Sequence, residues 1–205
     1  MDIKEQKNFK EVMLKYNFAK ERLETELKIL IDEYEFNKGY NPVEHTKSRI
    51  KSLDSAIKKL KRKNFEVTTD NLVRYVNDMV GVRIVCSFLS DVYDMVNIIK
   101  SSKQFIVKNE SDYIKNPKNS GYTSYHLNIL VPIHLLDKTE YVEAEIQIRT
   151  VAMDCWASLD HKLRYKLPRD IPDELENEML ARAEAMINLD KKMDSLNTMV
   201  KRFVE

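Results

Sequence analysis

An α/β domain bracketed by two long helices is what this sequence predicts, on three observations. Val142, Ala144, Ile146 and Ile148 alternate without a break with Glu143, Glu145, Gln147 and Arg149, the period of a half-buried strand. Both ends of the chain carry apolar residues at steps of three and four, the stripe of an amphipathic helix. Three glycines and five prolines in 205 residues, 33% of them charged, favour long helices and few tight turns.

Taken in order, Phe9 to Phe36 is the first helix, with Val12, Tyr16, Ala19, Leu23, Leu27, Leu30 and Tyr34 on one face. Gly39, Asn41 and Pro42 end it. The segment starting near Val43 also reads as helix: Ile50, Leu53, Ile57 and Leu60 share a stripe, and Lys51, Ser55, Lys59 and Arg62 take the opposite side. Thr68 or Thr69 caps a short helix running toward Asp78. Residues 79–88 are a β-branched run bounded by Gly81 and Ser87, a buried strand. Asp91 to Lys100 returns to helix, and Phe105 to Val107 is a short strand. The next strand puts Tyr122, Ser124, His126 and Asn128 on one face and Thr123, Tyr125, Leu127 and Ile129 on the other, then joins the Val142–Arg149 strand through a hairpin-like connection. Helix follows after Thr150 and runs through Lys166, where Leu167 and Pro168 stop it. From Pro172 to the end, Leu175, Met179, Met186, Leu189, Met193, Leu196, Val200 and Phe203 form a coiled-coil-like seam broken only at Arg182. That seam docks on the first helix or on another copy. Two such stripes exceed what a small sheet covers, so a homo-oligomer is expected. The organisation predicted is one domain, 1–205: an N-terminal helix (1–38), a core (40–166) and a C-terminal assembly helix (172–205).

Composition excludes several classes. With 34 basic and 33 acidic residues the net charge is +1, so no global field recommends a nucleic-acid coat or membrane surface. Cys86 and Cys155 lack metal-ligand spacing and are expected to be buried, reduced thiols. No apolar signal core or spanning run is evident, which points to the cytoplasm.

Singly, the polar residues of the centre have ordinary explanations. Asp78 suits a turn before a strand, Glu145 a solvated strand face, and His126 a structural imidazole. Tyr122 can simply begin a strand, Lys115 and Lys118 flank an exposed Asn116–Pro117 turn, and the lysines of 51–62 suit a solvated helix face. Their joint arrangement is what discriminates. The blocks YNPVEHTKSRIKS (40–52), DMVGVRIVC (78–86), DYIKNPKNSGYTSYH (112–126), EAEIQIRT (143–150) and WASLDHKLRYK (156–166) resemble, in order and spacing, the synthetase domain of the RelA/SpoT family. The terminal helices and total length make the chain similar to the small alarmone synthetases of RelP/RelQ type within it.

The resemblance implies a mixed, roughly five-stranded, nucleotidyltransferase-like sheet surrounded by helices. It implies an ATP:GTP 3′-diphosphotransferase that moves the β,γ-diphosphate of ATP onto the ribose 3′-hydroxyl of GTP or GDP, giving pppGpp or ppGpp and AMP. Such a transfer relies on positioning and cationic stabilisation. By resemblance, Asp78 and Glu145 are catalytic and hold Mg2+, which accepts one or two carboxylates with phosphates and water. Glu145 also lies near the 3′-hydroxyl and helps take its proton. Arg49 and Arg83 sandwich adenine, Lys51, Lys59 and Arg62 take ATP phosphates, and Ser55 adds a hydroxyl. For the acceptor, Tyr122 stacks on guanine, Lys118 and His126 serve its phosphates and ribose, Gln147 joins the site, and Gly121 lets backbone approach the ligand. The resemblance further implies a homotetramer, regulated by alarmone or single-stranded RNA, with no hydrolase activity, since no His-Asp pair stands among four histidines.

Two features strain the pattern. Ser120 replaces the Asn that long members carry before the Gly-Tyr pair, which bears on acceptor preference. Asp78 and Arg83 stand five apart, so both reach ATP only if Asp78 precedes the strand or a bulge falls at Gly81. Competing readings are a same-fold enzyme acting on an adenosine nucleotide or a tRNA 3′ end, and a non-catalytic nucleotide- or RNA-binding scaffold.

Overall fold

The computed structural model describes residues 3–166 and 171–204, so the expected stop at Leu167 and Pro168 lies outside the described residues. Strands β1 (Val43–Ile50), β2 (Val80–Cys86), β3 (Ile106–Asp112), β4 (Tyr125–His134) and β5 (Thr139–Thr150) form one mixed sheet in the order β1-β2-β5-β4-β3. β2 and β5 run parallel and every other neighbouring pair is antiparallel. The helices are α1 (Ile3–Lys38), α2 (Leu53–Arg62), α3 (Thr69–Tyr75), α4 (Leu89–Ser101), α5 (Val151–Lys166) and α6 (Asp173–Val204).

The sheet is two-faced because its strands alternate. Val80, Val82 and Ile84, Leu127, Ile129 and Val131, and Ala144, Ile146 and Ile148 are buried on one side. Helices α1 and α4 close that side, α1 through Tyr16, Ala19, Leu23, Leu27 and Ile31, α4 through Val92, Met95, Val96 and Ile99. Gly39, at φ +68, ends α1 by donating its N–H to the Glu35 carbonyl. The other face stays open and polar, as one-sided sheets allow.

Several expectations need correction. Residues 43–62 are not one helix: 43–50 form an edge strand, Ser52 caps α2, and Ala56 and Leu60 make the buried stripe. Solvent on β1 leaves it without alternating hydrophobicity, so only the later apolar spacing was visible. Arg49 therefore sits on a strand and Lys51 in a connection. The β3 strand runs on from Val107 to Asp112. β4 begins at Tyr125, and Thr123 and Ser124 are both buried instead of lying on opposite faces. Cys86 is buried but Cys155 is exposed, one residue around the helix from buried Trp156.

The first half of α6 packs through Met179 and Ala183 on Trp156 of α5, and Asp190 and Asp194 pin it further along. Asp190 accepts from the Thr150 hydroxyl, and Asp194 accepts the Ser90 N–H at 2.8 Å. Burial, reinforced by Asp194 and opposed by the Thr150 hydrogen bond, raises the pKa of Asp190. A raised carboxyl means the folded chain binds the proton more tightly, so this stability is present in acid and lost as pH rises through the folded pKa. Asp190→Asn keeps an acceptor for Thr150 without the charge. We expect it to raise Tm by about 2–4 °C at neutral pH and to have no effect below the ordinary aspartate range, checked by thermal melts at both pH values.

Candidate active site

Register turns the open face into two rows of side chains. Arg49, Gly81, Glu145 and Asn128 lie opposite one another across β1, β2, β5 and β4, and Lys47, Arg83, Gln147 and His126 do so one step along. Each row thus runs from cations at the β1 edge to carboxylate, amide and imidazole at the centre. Arg49 lies beside Gly81: a Cβ there would meet the Arg49 Cγ at 4.0 Å, an ordinary contact. Asp78 precedes β2, which removes the difficulty of its five-residue separation from Arg83. Asp78, Arg49, Arg83, Glu145 and Gln147 line one concavity of about 130 Å3. An adjoining cleft of about 730 Å3 shares Arg49, Arg83 and Gln147 and continues past Tyr122 and Arg149 to α5.

Both carboxylates are ionised. Burial pushes Asp78 up, but Lys51 and Lys59, each donating at 2.8 Å to a different oxygen, outweigh it and hold its pKa below the usual range. Burial likewise pushes Glu145 up, and is outweighed by the hydrogen bonds from His126 and from the Gln147 amide, which hold its pKa below the usual range despite repulsion from Asp78. His126 Nδ1 lies 3.1 Å from Glu145 Oε1, and Gln147 Nε2 donates to Oε2 at 2.6 Å.

The end of the cleft at Tyr122 is a hydrogen-bond relay. Arg149, almost wholly buried, donates to the Tyr122 hydroxyl, to Gln147 Oε1 at 2.7 Å and to Ser124 Oγ at 3.3 Å. Having accepted from Arg149, the Tyr122 hydroxyl can give its proton to His126 Nε2, 2.9 Å away, which leaves Nδ1–H for Glu145. Tyr122 is therefore oriented from below, and Lys118 Nζ lies 4.9 Å from its ring centroid. The loop carrying them is fixed by Asp112, whose Oδ1 accepts the Ile114 and Lys115 N–H groups at 3.0 Å each, and by a Gly121 N–H to Lys118 carbonyl bond of 2.8 Å.

Of the residues expected at the site, Asp78, Arg49, Arg83, Tyr122, Glu145 and Gln147 line the two concavities, and Lys51, Lys59 and His126 bond directly to their carboxylates. Lys118 is exposed at the rim. Ser55 turns back to its own cap, with Ser52 Oγ 2.8 Å away, and Arg62 is exposed in the last turn of α2; neither lines the cleft.

Residues not anticipated also gather there. Lys47 would have followed from reading β1 as a strand. Arg149 already stood on the polar face by alternation. Asp154 bridges Arg83 at 3.0 Å and Arg149 at 3.2 Å. Ser158, His161 and Arg164 recur at helical spacing along the cleft wall, with Lys162 beside them. Nε of Arg83 is buried with no partner among the described residues, while its Nη1 is held by Asp154.

The model of the region found in RelA and SpoT proteins matches residues 48–170. The chain belongs to the RelA/SpoT family. Among curated relatives of this family, GTP pyrophosphokinase YwaC of Bacillus subtilis is 47% identical over 186 residues, 91% of this chain and 89% of that protein. The crystal structure of small alarmone synthetase 2 from B. subtilis superposes with a TM-score of 0.84 at 44% identity, covering 94% of this chain and 99% of that one. Small alarmone synthetase 1 from the same species, bound to its product pppGpp, gives 0.84 at 32% identity, covering 95% and 99%. The RelA/SpoT fold expected from the sequence blocks is the fold observed.

Two carboxylates suit a magnesium ion, a hard cation that takes few protein oxygens when phosphates supply the rest. No group of three or more His, Cys, Asp or Glu side chains forms a metal cage among the described residues; Asp78 and Glu145 are the carboxylates that line the concavity and could hold such an ion.

Proposed function

We propose that this RelA/SpoT protein is a small alarmone synthetase, transferring the β,γ-diphosphate of ATP to the ribose 3′-oxygen of GTP or GDP, with pppGpp or ppGpp and AMP as products in stringent-response signalling. One observation carries the reading: an ionised Glu145, tied to His126 and Gln147, faces the same concavity as Asp78 and the Arg49, Lys47 and Arg83 cations. Arg49 and Arg83 hold adenine between guanidinium planes, Arg83 being steadied by Asp154. Lys51 and Lys59 take ATP phosphates, and Arg62 and Ser55 serve them only through a movement of α2. Tyr122 stacks on guanine once Lys118 leaves its ring for a phosphate, and His126 and Gln147 orient the ribose around Glu145. Glu145 accepts the 3′-hydroxyl proton as oxygen attacks the β-phosphorus; the bond from that phosphorus to the α,β-bridging oxygen breaks and AMP departs. Asp78 and Glu145 would hold Mg2+, which supplies charge neutralisation for the phosphates. The low pKa of Glu145 makes it an ionised but weak base, so transition-state positioning carries much of the rate.

The deciding experiment incubates the protein with ATP labelled in its β- and γ-phosphates and, separately, GTP, GDP, ATP or tRNA. Label on guanosine nucleotides together with AMP release is expected; label only on tRNA or on an adenosine nucleotide overturns the acceptor assignment, and none at all favours a scaffold. Arg83→Lys retains charge but loses the plane. Its KM for ATP should rise about tenfold with the guanosine-nucleotide KM unchanged, as steady-state kinetics would record.

We further propose a cytoplasmic homotetramer, open to regulation by alarmone or single-stranded RNA. No helix among the described residues is long and apolar enough to cross a membrane. Leu189, Met193, Leu196, Val200 and Phe203 of α6 are all exposed, the last at 88%. Leu196→Glu should lower the sedimenting mass; an unchanged mass argues against assembly through α6.

A further inference from the structure

We propose that Ala183 of α6 is a positioning residue for the acceptor loop, so that the C-terminal helix sets where Tyr122 and Lys118 stand. The proposal rests on the synthetase reading for its kinetic consequence and on geometry for the rest. Gly121 has φ +74 and lies flat against α6: a Cβ built on it would overlap the Ala183 methyl, 3.7 Å from Leu180 Cδ2 and 3.8 Å from the Ala183 Cα. A glycine expected to let backbone reach a ligand is thus in contact with a helix instead. Position 121 needs glycine twice over, for its backbone angle and for the helix behind it.

The contact is braced on both sides. Ala183 is 1% exposed and packs with Met179 and Trp156, and the same helix is pinned at Asp190 to Thr150 and at Asp194 to the Ser90 N–H. On the loop side, the Lys118 N–H donates to the Tyr122 carbonyl at 3.1 Å and the Tyr113 N–H to the Ser124 carbonyl at 3.0 Å, so the loop moves as a unit. Any side chain larger than alanine at 183 pushes that unit toward the cleft, whereas Lys51, Lys59 and Asp78 are held to one another by their own ion pairs. The distal half of α6 carries the exposed apolar seam, so a stiff helix joins that surface to the acceptor loop.

The test compares Ala183→Val with Ala183→Ser, which nearly keeps the alanine's size. Ala183→Val is expected to raise the KM for GTP or GDP about tenfold with the ATP KM within about twofold, and to speed amide hydrogen exchange across residues 118–124 but not in the sheet. Ala183→Ser should restore both toward wild type. Circular dichroism and sedimentation establish that each variant is folded and assembled. Unchanged acceptor KM and unchanged loop exchange in folded Ala183→Val overturn the proposal, as does an equal rise in both KM values. Should wild type make no guanosine product, the synthetase reading falls by itself, and loop exchange still decides whether Ala183 positions the loop. If Ala183→Val does not fold, Ala183→Gly replaces it: loss of the methyl should speed loop exchange, and exchange equal to wild type overturns the proposal.

Discussion

Glu145→Gln is expected to lower the rate of diphosphate transfer by about a thousandfold while ATP and guanosine nucleotides still bind within about threefold of wild type. The amide has the shape of the carboxylate and its carbonyl can still accept from His126, but its NH2 then meets the Gln147 Nε2 donor, which Arg149 holds in place through Gln147 Oε1, so one of the two contacts is kept and one is lost. What is lost is the negative charge that the fold maintains in spite of burial, and with it the proton acceptor of the proposed mechanism. Because its folded pKa is depressed, Glu145 is ionised throughout the neutral range. The acid limb it imposes on kcat/KM lies below the ordinary glutamate value, so the wild-type rate should not change near neutrality on its account. Single-turnover transfer of labelled diphosphate, with calorimetric binding of each nucleotide, checks both halves. A variant as active as wild type would remove Glu145 from the chemistry.

The centre of the sheet was legible because period two is a local signal. Val142 to Arg149 and Tyr125 to Ile129 declare their buried face through every second residue, and both faces were assigned correctly from Tyr125 onward. Arg49 and Lys47 were harder. They lie on an edge strand that solvent reaches on its open side, so no hydrophobic alternation marks it, and the apolar steps from Ile50 to Leu60 drew the segment into a false helix. The consequence for the site is definite: the cations proposed for ATP do not share one helix face but come from β1, a connection, α2 and β2. Sequence blocks brought Arg49, Arg83 and Glu145 together where periodicity could not, since register between strands distant in sequence is a tertiary property. Asp154 was invisible for another reason. Its partners Arg83 and Arg149 sit on two strands that only the parallel β2–β5 pairing sets side by side.

Asp78→Asn is expected to fail in a different way from the Glu145 variant. Asp78 stands between two ammonium groups, Lys51 and Lys59, whose side chains are 16% and 23% exposed. Removing its charge leaves both cations facing one another and any bound phosphate without the counter-charge that keeps them in place. Stability should fall by about 1–2 kcal/mol, a few degrees in Tm, the moderate figure appropriate to a pair that water still reaches. ATP should bind at least as tightly as to wild type, because two lysines are released to its phosphates. Transfer should nonetheless drop by about a thousandfold, since tight binding of the ground state without the carboxylate that orders the reacting phosphate does nothing for the transition state. The signature is therefore a collapsed kcat with an ATP KM that is unchanged or lower, and saturating ATP should recover the lost Tm. A variant with kcat within tenfold of wild type, or with ATP affinity lost in proportion to rate, would show that Asp78 merely holds the lysines apart.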